Sequence, residues 1–346
     1  MRGAGDLKPP PAEEETAMRS GGRLGTMLLM AVLPVVSGCA RHSKSEHFYL
    51  VATNVKLAYW QTANAGFAKA AAQYGVTAEM TGPDTFDPRA EVEDFRAAVA
   101  KKPAGILVSV GNSTLMTPEI DRAIAAGIPV ITMDSDAPES HRLYFIGTNN
   151  LAAGRLGGQR VAAMLNGKGN VVFFTNAGQP NLDERLKGYK DVFAGFPGIK
   201  VADVFDMKGD SGSAMDKTKE YLGRTGAEKV DAVVCLEASA AKDVGEIFER
   251  MSAQARVLIG MDVDEATLQL VKRGTVDSTI SQKPFTMGFL GLKELDEIQH
   301  NPVKPLTQDF GLDPFAPFPA FVDTGVALVD KTNVDALIQW SANANK

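Results

Sequence analysis

The segment at residues 123–136 (AIAAGIPVITMDSD) limits the fold more than any other part of the chain. Its first half has the pattern of a helix end closed by Gly127, because glycine readily adopts the left-handed conformation that ends many helices. A short apolar run follows, of the kind expected for a parallel strand covered on both faces. Asp134 and Asp136 come directly after this strand, at the edge where ligands bind in open α/β sheets. Either carboxylate could instead cap the following turn.

The same alternation of short apolar runs and helical spacing continues along most of the chain. The predicted strands are 48–53, 76–80, 104–110, 130–133, 143–147, 170–175, 201–206, 230–236, 256–261 and 278–281. Helical patterns separate most of them, which predicts parallel sheets with helices on both faces. The pattern restarts near residue 150, and 346 residues exceed one typical core, so we expect two α/β halves. Residues 321–329 resemble two short strands paired with each other.

Composition and motifs exclude several classes of function. The net charge is −6 without a long basic run, which argues against nucleic acid as a partner. The two cysteines, Cys39 and Cys235, cannot form a disulfide framework, and Cys235 lies in an apolar run typical of a core. The four histidines are scattered without ligand spacing. The chain has no phosphate loop, dinucleotide fingerprint or nucleophile elbow, so we predict no metal, no cofactor and no catalytic residue.

The amino terminus has the layout of a secretory signal. A basic stretch at 18–23 precedes an apolar stretch at 24–36 and a few small residues. The apolar stretch is short for a permanent span. The small residues end at Cys39 and resemble a bacterial lipobox, in which the cysteine is acylated; a cleaved signal with an unmodified cysteine is the alternative.

The domain prediction for this region follows. We expect a signal peptide over residues 1–38 and a lipidated polar tether over 39–46. An acidic extension ahead of a basic stretch is atypical of signals, so Met18 is a better candidate for the natural start than Met1.

Hydrogen-bonding side chains follow most of the predicted strands. They are Asn54, Asn112, Ser113, Asp134, Asp136, Asn176, Glu237, Asp262 and Gln282, together with Arg185 on the helix after Asn176 and the aromatic pair Tyr59 and Trp60. A polyhydroxylated ligand needs this mixture, since carboxylates accept from hydroxyls, arginine donates and aromatic faces cover C–H surfaces. Two alternatives stay open: the aromatic pair could belong to the core, and Glu237 could cap the next helix.

Six segments resemble the type I periplasmic sugar-binding proteins, the group that includes the ribose-binding proteins. They are 48–54 (FYLVATN), 127–138 (GIPVITMDSDAP), 144–154 (YFIGTNNLAAG), 184–189 (ERLKGY), 259–262 (IGMD) and 279–284 (TISQKP). The resemblance covers about residues 48–329. It implies two Rossmann-like lobes joined by three crossovers, with the sugar in the cleft. The first lobe would comprise 47–149 plus 283–323 and the second 150–282 plus 324–346.

The resemblance also has departures. Glu237 replaces the asparagine of ribose binders, Ser135 replaces the arginine that follows their first-lobe aspartate, and residues 208–211 lack their second-lobe aromatic. The resemblance therefore implies the fold and the cleft, but not ribose as the ligand.

The function implied is that of an extracytoplasmic binding protein. It would capture a small neutral sugar or polyol as a monomer and deliver it to an ABC permease with its ATPase. It would stand in the periplasm or at the cell surface, held to the membrane by lipid on Cys39. Alternatives are a sugar or autoinducer sensor for a chemoreceptor or kinase and, less favoured, a glycosidase that uses Asp134, Glu237 and Asp262. A LacI-type regulator would need a DNA-binding unit where the signal lies.

Overall fold

Twelve strands in the described part of the chain form two six-stranded sheets. The computed structural model describes residues 42–306, 309–310 and 313–344, so the predicted signal peptide and Cys39 lie outside the described residues. The strands are β1 (His47–Val51), β2 (Thr77–Thr81), β3 (Gly105–Val108), β4 (Val130–Met133), β5 (Phe145–Gly147), β6 (Lys168–Thr175), β7 (Gly198–Asp206), β8 (Ala232–Cys235), β9 (Val257–Met261), β10 (Ser278–Ser281), β11 (Phe321–Asp323) and β12 (Ala327–Asp330).

Each sheet has the strand order of a doubly wound fold. The first sheet, that of the first lobe, has the order β11-β5-β4-β3-β1-β2, and the second, that of the second lobe, has the order β12-β10-β9-β8-β6-β7. Strand pairing in the described residues is parallel except between β10 and β12. Every residue of β3, β4, β8 and β9 is buried, as expected for strands covered by helices on both faces. The predicted α/β fold with two lobes is confirmed.

Ten α-helices in the described residues cover the sheets. They are α1 (Ala58–Tyr74), α2 (Pro88–Ala100), α3 (Ser113–Ala125), α4 (Asn150–Met164), α5 (Pro180–Phe193), α6 (Ser211–Gly223), α7 (Ala240–Arg250), α8 (Glu265–Arg273), α9 (Pro284–His300) and α10 (Val334–Ala344). Helix α1 packs on α9 in the first lobe and α4 on α5 in the second. A Cβ atom at Gly154 would lie 2.0 Å from the carbonyl oxygen of Arg185, so glycine there lets α5 pack close to α4. Within the described residues, no helix combines the length and apolar character needed to cross a membrane.

The chain passes between the two sheets three times. It leaves the first sheet between β5 and α4, returns between β10 and α9, and crosses again between β11 and β12. The crossings contact one another, because Thr148 donates a hydrogen bond to Gln282 (2.7 Å) and the backbone N–H of Thr324 donates to Gly147 (2.8 Å). These positions agree with the three predicted crossovers.

The expected pairing of the two strands within 321–329 is wrong. Strand β11 pairs with β5 in the first sheet, whereas β12 pairs with β10 in the second. Each strand adds to the edge of a different sheet, and residues 324–326 between them form the third crossing. Covering two open sheet edges satisfies more backbone groups than an isolated hairpin would.

Candidate functional site

A cavity that opens to solvent lies between the carboxyl ends of the two sheets. Its walls come from both lobes. They are formed by Thr53, Asn54, Leu57, Tyr59, Trp60, Phe86, Asp134, Asn176, Gln179, Asn181, Leu182, Arg185, Gly209, Glu237, Ala238, Ser239, Asp262 and Gln282. Of the nine residues predicted to bind ligand, all but Asp136 are in this set.

The same six-residue pattern places one carboxylate from each lobe in the cavity. Residues 131–136 (ITMDSD) cover the end of β4 and the turn after it, and residues 259–264 (IGMDVD) cover the same positions at β9. Asp134 and Asp262 both adopt the left-handed conformation, with φ of 62° and 68°. Their backbone N–H groups donate to Ile146 (3.1 Å) and Ile280 (2.8 Å) on the neighbouring strands. Aspartate tolerates this conformation better than most residues. The aspartate at the same place in both segments is therefore consistent with the same turn after each strand.

Asp136 was predicted to bind ligand, but it does not line the cavity. Its carboxylate is instead hydrogen-bonded to residues in and beside β4. It accepts two hydrogen bonds from the guanidinium of Arg142, and a third from Thr132 at 2.6 Å. The equivalent acid of the second pattern, Asp264, accepts from the backbone N–H of Thr267 and caps α8. The second acid of each pattern therefore stabilises local structure.

Asp134 contacts side chains of both lobes. It is 3% exposed and accepts hydrogen bonds from the Tyr59 hydroxyl (2.8 Å) and from the Asn181 amide (3.0 Å). Asn181 lies on α5 of the second lobe, so this hydrogen bond spans the cleft. Sequence analysis missed Asn181, although it lies four residues before Arg185 and therefore on the same helix face.

Arg185 is the cation of the cavity and is 3% exposed. Its guanidinium donates to Asn150 (2.9 Å), to the carbonyl of Leu236 (2.9 Å) and to Gln282 (3.1 Å). A terminal nitrogen also lies 3.9 Å from the Asp134 carboxylate. The three hydrogen bonds hold the planar guanidinium in place, with its terminal nitrogen toward the Asp134 carboxylate.

Gln282 connects the cavity to the crossings. Its carbonyl oxygen accepts from Thr148 and from Arg185, while its amide donates to Asp262 at 2.9 Å. Residues 148 and 282 lie on two of the three crossings. The Gln282 side chain therefore joins these two crossings to Asp262, a carboxylate that lines the cavity.

Aromatic residues line the first-lobe side of the cavity. The rings of Tyr59 and Trp60 are 5.1 Å apart and nearly perpendicular. Trp60 is 3% exposed; it packs in the core of the first lobe, as one of the two alternatives predicted, and it also lines the cavity. Phe86, which sequence analysis missed, follows β2 and approaches the second lobe at Gly209, where an added Cβ would lie 2.9 Å from the Phe86 carbonyl oxygen.

Glu237 lines the cavity and also caps a helix, as one of its two alternatives predicted. Its carboxylate lines the cavity and accepts hydrogen bonds from the Ser239 N–H (2.8 Å), the Ser239 hydroxyl (2.7 Å) and the Ala240 N–H (2.9 Å). It therefore caps the start of α7 from within the cleft. Asn54, the remaining predicted residue, lines the cavity and accepts from the Lys56 N–H at 3.1 Å.

Burial controls the charge of the cavity. Desolvation raises the pKa of Asp134, although the Arg185 guanidinium opposes this shift. Desolvation also raises the pKa of Asp262 to about 7, with Arg185 again opposing and the carboxylates of Asp134 and Glu237 adding to the rise. The pKa of Glu237 is raised for the same first cause. Three acids thus face one guanidinium, an environment that favours hydroxyl donors and disfavours a further negative charge.

Comparison with known proteins gives consistent matches. A family model described as the periplasmic binding protein domain matches residues 48–301. The chain is 27% identical over 229 residues to a xylose/arabinose-binding protein of Sulfolobus acidocaldarius, which is 61% of this chain; the match spans little more than half, 56%, of that protein.

Two solved structures match this chain over nearly the whole of their own length. The sugar-binding protein of a sugar ABC transporter from Bacillus halodurans is 32% identical, with a TM-score of 0.71 over 84% of this chain and 99% of that one. An arabinose-binding protein of Geobacillus stearothermophilus is 31% identical, with a TM-score of 0.69 over 84% and 98%. The family match spans well over half of the sequence, and the fold and cleft agree with it. The chain therefore belongs to the periplasmic binding protein family, whose members are extracytoplasmic binding proteins rather than enzymes.

Proposed function

We propose that the protein captures a small neutral sugar or polyol between its lobes and delivers it to the permease and ATPase of an ABC importer. The observation that carries this proposal is the buried set of Asp134, Arg185 and Asp262, which presents acceptors and donors from both lobes to one cavity. The names of the similar proteins support it, since they include a sugar ABC transporter and two binders of arabinose.

The side chains divide the recognition of such a ligand. Asp134, Glu237 and Asp262 accept from sugar hydroxyls. Arg185, Asn181 and Gln282 donate to hydroxyl or ring oxygens. Tyr59, Trp60 and Phe86 cover apolar C–H surface, and Asn54 contributes at the mouth.

Charge narrows the ligand class. A uronate or a sugar phosphate would add a buried anion beside three acids and one guanidinium, which carries a large desolvation cost. The charge of the cavity therefore excludes anionic sugars, and we take the ligand to be an uncharged pentose, hexose or polyol.

The division into lobes and the membrane anchor belong to the same proposal. The first lobe comprises 47–149 plus 283–323 and the second 150–282 plus 324–346, in keeping with the strands of the two sheets. Residues 1–38 act as the signal peptide, and lipid on Cys39 holds the monomeric protein to the membrane. The support is the basic, apolar and small-residue order that ends at this cysteine, together with the extracytoplasmic family.

A thermal-shift screen of pentoses, hexoses, polyols and uronates tests the binding function. A ligand that binds only the folded protein stabilises it by about 3 kcal/mol at a hundredfold excess over Kd. We expect a neutral sugar or polyol to raise the melting temperature and the uronates to leave it unchanged. Asp134→Asn keeps the left-handed turn and should weaken binding by roughly thirtyfold, about 2 kcal/mol.

The matched control is Asp216→Asn, which removes a carboxylate that is 86% exposed on α6. Equal affinity of the wild type and Asp134→Asn for the sugar identified would remove Asp134 from the binding site. Stabilisation by uronates as large as by neutral sugars would overturn the charge argument.

A further inference from the structure

Two histidines and an aspartate meet at the end of the first lobe remote from the cavity. His42 lies just before β1, while Asp296 and His300 lie one turn apart at the end of α9. The His42 ring stacks on Tyr74, the last residue of α1. Tyr59, near the first residue of that helix, lines the cavity, and fifteen residues of helix between the two tyrosines span about 22 Å.

The three side chains can present their ligand atoms to one point. One nitrogen or oxygen atom from each of His42, Asp296 and His300 lies within 4.8 Å of the other two. The two imidazole rings are 4.5 Å apart, and Nε2 of His42 is 2.8 Å from a carboxylate oxygen of Asp296. His42 is 254 residues from Asp296 and 258 from His300, so only the Asp296–His300 pair, one helical turn apart, has ligand spacing in the sequence.

A buried carboxylate oxygen without a partner points to a missing ligand at this cluster. Asp296 is only 4% exposed, yet its Oδ1 atom has no hydrogen-bond partner among the described residues. Nδ1 of His300 donates to the backbone carbonyl of Asp296 at 2.9 Å, so Nε2 is the ring nitrogen that a metal ion would bind. Metal-binding histidines have this arrangement, because the second ring nitrogen is fixed by such a donor bond. Nε2 lies 3.2 Å from the Glu46 carboxylate, and a metal ion there would displace the proton that this pair otherwise holds.

A second carboxylate, that of Glu46, balances the charge. Oε1 of Glu46 is 3.2 Å from Nε2 of His300, and the Glu46 side chain is 19% exposed. Two carboxylates and two neutral imidazoles would neutralise a divalent cation. Nitrogen and carboxylate oxygen donors suit zinc and its first-row neighbours rather than calcium or magnesium.

We propose that His42, Asp296 and His300 form a binding site for a divalent transition-metal ion, with zinc as the representative ion and Glu46 beside it. His42 belongs to a segment without helix or strand and is 36% exposed, so a small movement brings its nitrogen to metal-ligand distance. The metal fastens residues 42–46 to α9. Without it, this segment is held to the first lobe by the His42–Asp296 pair (2.8 Å) and by bonds from the Thr77 N–H to the Glu46 carbonyl (2.9 Å) and from the Thr77 hydroxyl to the Lys44 carbonyl (2.7 Å).

Zinc titration of the untagged full chain in detergent tests the site. Calorimetry should give one Zn²⁺ per chain, and zinc alone should raise the melting temperature in the absence of sugar. His42→Ala and His300→Ala should each lower zinc affinity by at least tenfold. His141→Ala is the matched control, because this histidine pairs with Asp121 elsewhere in the first lobe.

Circular dichroism of each variant without metal separates lost binding from lost folding. His42→Ala removes a partly exposed ring outside the helices and strands, so it should keep the wild-type spectrum. Reduced zinc affinity in this folded variant, with His141→Ala unchanged, supports the site. No stoichiometric zinc binding by the wild type, or equal binding by His42→Ala, overturns it.

Discussion

Replacing Asp262 with asparagine should change how the stability of the sugar-free protein depends on pH. Asparagine tolerates the left-handed conformation at this position, where φ is 68°, and its side-chain oxygen can still accept from the Gln282 amide. The substitution therefore removes one titrating group and keeps the turn and the bond with Gln282.

The size of the effect follows from the pKa of Asp262, which burial raises to about 7. An unfolded chain releases the same proton near pH 4, at about 3.9. Unfolding therefore releases a proton between these values, and stability falls as pH rises through this window. Between pH 5 and pH 8, ionisation stabilises the unfolded chain by about 4 kcal/mol and the folded chain by about 1.4 kcal/mol. The wild type should lose roughly 2.5 kcal/mol that the Asp262→Asn variant keeps.

Denaturant unfolding of both sugar-free proteins at pH 5, 6, 7 and 8 measures this difference. The free energy of unfolding of Asp262→Asn minus that of the wild type should grow steadily with pH. Asp216→Asn, which removes an exposed carboxylate, should follow the wild type at each pH. A difference that stays constant from pH 5 to pH 8, within the error of extrapolation, would show that Asp262 is already ionised at pH 5 and would refute the argument.

Two further predictions concern Glu237 and Cys39. Glu237→Gln should relax discrimination against uronates and change affinity for the neutral sugar about tenfold, or 1.4 kcal/mol, as measured by calorimetry. It should also lower stability by roughly 1 kcal/mol because it weakens the cap of α7, and unchanged affinities for both ligand classes would leave Glu237 as a cap alone. Cys39→Ser should release the protein from membranes into the extracytoplasmic soluble fraction, and a variant that still fractionates with membranes would contradict lipid attachment at this residue.

Local patterns in the sequence predicted the elements and part of the cavity. Asp134 and Asp262 could be found because parallel strands converge at their carboxyl ends, so a polar residue after a buried strand faces the cleft. The same rule placed Asp136 in the cleft, because it could not show that Arg142 would engage that carboxylate.

The remaining site residues depend on contacts between distant segments. Phe86 reaches the cleft because its loop meets Gly209 of the other lobe, and no local pattern marks that contact. The pairing of β11 and β12 with separate sheets likewise follows from which sheet edges are open. His42 and His300 meet only after α9 folds against the start of the first lobe.

Under the proposed function, the equivalent turns of Asp134 and Asp262 make the two lobes behave as a bivalent receptor for a single ligand. Each lobe alone presents one such carboxylate on the same strand-end geometry, and neither surrounds the ligand. Once one lobe holds the sugar, the second contact is intramolecular, so its strength depends on the effective concentration set by three short connections. The affinity would then depend on the three connections as well as on the ligand contacts, and we expect a change in the length of residues 324–326 to alter it without changing any residue that lines the cavity.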